Sequence, residues 1–111
     1  MGCYPGARLV YGIDLGVPDE KDYDSDRVYR DLEGFYPGLS LEFWGNLEQG
    51  SVGYVLAGPH RNVYAYDCLT VTPEMLQVPD EVTLQIRQAW ATLFPNRTVP
   101  DPRWMITVHY G

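Results

Sequence analysis

Residues 78–95, "VPDEVTLQIRQAWATLFP", carry a single apolar stripe between two prolines. Val82, Ile86, Ala89, Trp90, Leu93 and Phe94 recur at the three-and-four spacing that places side chains on one side of a helix. Pro79 suits a first helical turn, Asp80 and Glu81 complement its positive end, and Pro95 stops it. A helix that is apolar on one side only must lay that side on another element. Most of the remaining chain reads as strand, so the helix is expected to lie on a sheet.

"RLVYGIDL" at 8–15 alternates, with Leu9, Tyr11, Ile13 and Leu15 on one face and Val10, Gly12 and Asp14 on the other. After the break at "GVPDEKD", Val28, Tyr29, Leu32, Phe35 and Tyr36 predict a helix over about 25–36, capped by Asp24 or Ser25 and ended by "PG" at 37–38. "LSLEFW" at 39–44 turns Leu39, Leu41 and Phe43 inward and Ser40, Glu42 and Trp44 outward. "VGYVLAG" (52–58) and "NVYAYDCLTV" (62–71) read as two strands joined by "PHR", and "RWMITVHY" as a last strand. In the second of these, Val63, Ala65, Asp67, Leu69 and Val71 share one face, and Tyr64, Tyr66, Cys68 and Thr70 the other.

The order β-α-β-β-β-α-β predicts an α+β fold: a mixed, mostly antiparallel sheet of about five strands with two helices on one face, a ferredoxin-like variant. At 111 residues the chain is one domain, 1–111, large enough to bury a core without metal or disulfide staples. No segment is apolar enough for a signal peptide or membrane span. "MGCYPG" has the Gly2 of a myristoylation signal but Gly6 where Ser or Thr is required, and the "NRT" sequon at Asn96 matters only in a secreted chain. Cys3 and Cys68 allow at most one bridge, and Cys68, in an apolar run, is expected to be a small buried hydrophobe. These readings point to a cytoplasmic protein.

The sharpest chemical motif is "DYDSDRVYRDLE" at 22–33. Asp22, Asp24, Asp26 and Glu33 occupy positions 1, 3, 5 and 12 of a calcium-binding loop. The context excludes it: Arg27 stands where the turn needs Gly, no helix precedes the acids, and the apolar spacing starts a helix inside the supposed loop. The acids cap that helix and complement its positive end. No metal or other cofactor is expected.

A polar site around Asp14, Asp67 and His60 is the alternative functional reading, for a small ligand-binding protein or enzyme. Each residue also has an ordinary explanation, the acids as strand-end acceptors and His60 in a hairpin turn. "GIDLG" has the Asp-x-Gly of an actin-like phosphate turn without a Gly-rich loop, and no nucleophile elbow or Cys–His pairing is present. No catalytic constellation emerges, which favours a non-enzymatic reading.

Aromatic residues carry more information, with 9 Tyr and 3 Trp in the chain. If the helices cover the Leu41, Phe43, Ala65 and Leu69 face, then Trp44, Tyr64 and Tyr66 project from the open one as an aromatic binding patch. An open aromatic sheet also suits RNA, but the basic rim and the "KGFGFVxF"-type segment are missing. With 15 acidic against 8 basic residues, the net charge of −7 opposes phosphate backbones and anionic membranes. A protein partner or a second copy, as a homodimer, is the expected occupant.

"RLVYGIDLG" at one end and "DPRWMITVHYG" at the other resemble small accessory proteins encoded by actinobacterial phages. The resemblance implies a small protein made in a bacterial cytoplasm and acting on a host component, and transfers no catalytic residue. Together these observations predict a small acidic interaction protein, a phage-encoded modulator binding a host factor through an aromatic sheet face.

Overall fold

A computed structural model describes residues 5–110. The elements are strand β1 (Pro5–Gly16), a short helix α1 (Pro18–Lys21), helix α2 (Ser25–Phe35), strands β2 (Ser40–Asn46) and β3 (Ser51–Tyr64), a 3-10 turn (Pro73–Leu76), helix α3 (Asp80–Leu93) and strand β4 (Arg103–Tyr110). The expectations about Gly2 and Cys3 lie outside the described residues.

The α+β class holds, with a mixed sheet of four strands and three helices. Its order is β1-β3-β2-β4, curled into a barrel. β1 runs antiparallel to both β3 and β4, and β2 antiparallel to β3. β2 and β4 meet in parallel only at Gly45–His109 and Asn46–Tyr110.

The helices share one core against the outside of the barrel. Ile13 and Leu15 of β1, Leu39, and Leu56 of β3 pack with Val28 and Leu32 of α2 and Ile86, Ala89, Trp90, Leu93 and Phe94 of α3. The α3 stripe read from the sequence is buried from Ile86 to Phe94, with Val82 partly so. Of the α2 stripe only Val28 and Leu32 are buried; Tyr29 and Phe35 are exposed and Tyr36 is half-buried. Asp24 caps α2 by accepting from the amides of Asp26 and Arg27. Trp90 is buried, packed against Phe94 in a tilted pair with ring centroids 4.6 Å apart.

The five expected strands are four because "PHR" does not turn the chain. β3 runs unbroken through it, pairing Val10 with His60 and Gly12 with Ala57. The register shift there leaves Gly58 and Pro59 opposite Tyr11 alone, a bulge in which proline's missing amide costs no ladder bond. β3 ends at Tyr64, and the chain then turns, with the Asp67 amide donating to the Tyr64 carbonyl and Tyr66 at φ 71°. Residues 65–71 are therefore not a strand. Cys68 is exposed rather than buried. Within the break expected at "GVPDEKD", residues 18–21 form the short helix α1.

Candidate interaction surface

Strand register sorts the outer surface into rows. Tyr11 pairs with Trp104, Leu9 with both Arg61 and Ile106, Ala7 with both Val63 and Val108, and Pro5 with Tyr110. The helix layer ends at the first row: the Tyr11 hydroxyl bonds the Thr83 hydroxyl of α3 at 2.9 Å, and the Trp104 indole nitrogen donates to the Leu76 carbonyl at 2.9 Å. Beyond that row no helix covers the sheet: Leu9 of β1 is still buried, but the outward side chains of β4 are not. Ile106 is 73% exposed, Val108 56% and Tyr110 42%, consecutive outward positions on one strand. The segment after β3 flanks them, and Val63, Leu69 and Val71 with Leu9 and Ile106 line a small, mostly apolar cavity of about 190 Å³.

The aromatic residues singled out from the sequence are distributed differently. Trp44 points away from the helices as expected, but the face opposite the helices curls into the barrel interior. There it is partly buried against Val10, Val55 and Ala57, not substantially exposed. Tyr64 and Tyr66 are 58% and fully exposed, yet they do not share a strand face, since Tyr64 ends β3 and Tyr66 sits in the turn that follows. The Tyr64 hydroxyl takes a bond from the Asn62 amide at 3.2 Å.

Asp14, Asp67 and His60 are not gathered into a site. Asp14 Oδ1 accepts from the Gly16 amide and from the Trp44 indole. Asp67 lies in the turn after β3 beside the small apolar cavity. His60 is within β3, with Nδ1 3.0 Å from the Gly58 carbonyl and Nε2 3.8 Å from Glu42 Oε1. Among the described residues, no group of three or more His, Cys, Asp or Glu side chains is placed to hold a metal ion.

What sequence reasoning missed is a polar network inside the barrel. Arg8 is 5% exposed; its Nε donates to Asn62 Oδ1 at 2.8 Å and lies 3.5 Å from Glu42 Oε1, while Nη1 donates to the Phe43 carbonyl at 2.8 Å. His109, also buried, meets the Phe43 ring edge-on at 5.1 Å. Burial and the nearby Arg8 charge hold its imidazole pKa below the ordinary value, against a smaller opposing pull from Glu42. Its Nδ1 and the Thr107 hydroxyl are buried without a hydrogen-bond partner among the described residues. The available signal was Arg8 itself, a charged residue on the same strand face as Val10. On the helix side, burial likewise pushes the Tyr23 hydroxyl pKa upward, helped by Tyr54 and Asp14, and that hydroxyl donates to the Gly16 carbonyl at 2.6 Å.

The barrel is weakest between β2 and β4. Their two-residue contact leaves Arg103–Val108 of β4 paired only to β1. A groove of about 310 Å³ runs along that seam, lined by Met105, Ile106, Thr107 and Val108 on one side and by Asp14 and Trp44 on the other. No helix among the described residues is long and apolar enough to cross a membrane. Comparison with protein-family models, with curated proteins and with solved structures finds no match to this chain.

Proposed function

We propose that this chain is a non-catalytic interaction protein that binds a partner protein through the outer face of β4. The observation that carries the reading is the row Ile106, Val108 and Tyr110, exposed where the helix layer stops. Neighbouring apolar side chains on a strand offer contact area at low entropic cost, and contiguous apolar surface of this kind commonly marks an interface. The net charge of −7 favours a basic protein over nucleic acid or an anionic membrane. A host factor met by a phage-encoded modulator remains the physiological setting proposed from the chain ends. The β1-β3-β2-β4 order with helical crossovers supports keeping the ferredoxin-like variant as the architectural reading.

The test is affinity capture from bacterial lysate with the wild type and with Ile106→Lys/Val108→Lys. Both positions are exposed, so the variant is expected to melt close to the wild type. A protein held by the wild type and lost by the variant supports the reading; equal capture by both, or none by either, sinks it.

A further inference from the structure

The seam between β2 and β4 has the properties of a strand-acceptor site. Backbone groups on a β-strand point alternately to its two sides, so roughly half of those in Arg103–Val108 face away from β1. β2 meets β4 only beyond them, at His109 and Tyr110. Four consecutive residues of β4, whose side chains belong to both faces of the sheet, line the groove, so it follows the strand edge rather than one face. Natural edges are usually blunted by lysine, proline, a bulge or a covering element. Over 103–108 β4 has no lysine, no proline and no register shift against β1; its one charge, Arg103, is at the far end.

Across the groove stand an aromatic wall and an anion. Trp44 and Met105 pack against the same small interior cluster. Both hydrogen bonds to Asp14 fall on Oδ1, and the residue is exposed, which leaves Oδ2 for an incoming donor. A second copy would set −7 against −7, whereas a cationic segment is attracted both by the whole chain and by Asp14.

We infer that an extended segment of a basic partner protein adds to β4 as a strand along Arg103–Val108, placing a lysine or arginine on Asp14 and an apolar side chain against Trp44 and Met105. This rests on the protein-binding reading above and adds its mode: main-chain bonds to an edge supply affinity, and alternate side chains supply specificity.

The experiment uses the full chain. A display library of random nonapeptides is selected on it, and the strongest peptide is followed by amide hydrogen exchange and by the Trp44 indole resonance. Selected peptides are expected to alternate apolar residues with at least one lysine or arginine, to protect amides within 103–108 and to shift the Trp44 indole signal. Asp14→Asn keeps the Oδ1 acceptor for Trp44 but removes the charge, and is expected to weaken the peptide about tenfold at low salt. A peptide that is lost on Ile106→Lys/Val108→Lys, yet protects no amide in 103–108 and ignores Asp14→Asn, overturns strand addition and leaves the outer-face reading standing. Absence of any selected peptide also overturns it, with the lysate comparison then judging the broader reading by itself. If sedimentation shows a dimer whose 103–108 amides are already protected, a second copy fills the edge and the basic-partner inference fails.

Discussion

Trp44 lies against the backbone of Gly53, its register partner on β3: a Cβ added at Gly53 would overlap the indole Cζ2. The two residues face each other across the β2–β3 ladder, so a methyl group at 53 cannot be relieved by a small shift of a flexible chain end. Gly53→Ala must swing the indole off Val10, Val55 and Ala57 and break its 3.0 Å bond to Asp14. We expect a loss of about 1–3 kcal/mol, the usual cost of overpacking. A urea titration together with the indole NMR signal checks this; unchanged stability with an unmoved indole would show that the site has room.

Arg8 is the only cation among the buried residues of the described chain, and three separate acceptors depend on it. Arg8→Ala takes the donor from Glu42, Asn62 and the Phe43 carbonyl. Because Glu42 and Asn62 keep access to water, the loss is expected to fall below the cost of breaking a fully buried pair, about 3–5 kcal/mol. Arg8→Ala/Glu42→Ala is expected to be less damaging than the sum of the two single changes, because each single change strands the other charge. Additive losses in chemical denaturation would mean that the 3.5 Å approach contributes no coupling.

How much of this was legible follows from which interactions are local. Val28–Leu32 and Ile86–Ala89–Trp90–Leu93 repeat at the helical period, so α2 and α3 were readable as helices, and α3 with its buried face. In α2 the same period also took in Tyr29 and Phe35, which lie at the margins of the stripe and stay exposed. The Asp24 cap was readable because its partners are two and three residues away. Barrel closure was not, since it depends on pairing Gly45 with His109, far apart in sequence. That closure turns the face opposite the helices inward and half-buries Trp44. Pro59 misled for a related reason: proline ends a regular strand, but the bulge that accommodates it exists only once β1 is in place. The sequence pattern placed Tyr64 and Tyr66 together on one exposed strand face; the exposed apolar row is instead the outward side of β4, because β3 ends where the sequence still alternates.

His109 makes stability pH-dependent in a stated direction. Its folded pKa lies below the ordinary histidine value, because burial and Arg8 disfavour the imidazolium more than Glu42 favours it. The unfolded chain therefore takes up this proton first as pH falls, near 6.5, while the folded chain resists. More protons on the unfolded state means stability rising with pH, so this contribution is complete above about 6.5 and is lost as pH falls toward the lower folded value. His109→Gln removes the titration and leaves His60 and the carboxylates common to both proteins. Urea midpoints at pH 7.5 and 5.5 are expected to drop less for the variant than for the wild type. An equal drop would place the pH dependence elsewhere.

The acidic stretch at 22–33 carries the last prediction, in which helix capping and ion binding lead to opposite results. Asp24 accepts from the Asp26 amide at 3.0 Å and the Arg27 amide at 3.4 Å, satisfying donors that the first turn of α2 leaves free. Asp22 is instead the left-handed residue that ends α1, at φ 55°, and its carbonyl takes a bond from Arg97 at 3.0 Å. Asp24→Ala is therefore expected to cost about 0.5–2 kcal/mol whether or not calcium is present. Millimolar calcium is expected to leave the melting temperature of the wild type unchanged. Binding to the native state alone at a hundredfold over Kd would add about 2.7 kcal/mol, several degrees for a domain of this size. A calcium-dependent rise that Asp24→Ala abolishes would make the acids an ion site, whereas a calcium-independent loss in that variant is the signature of a cap.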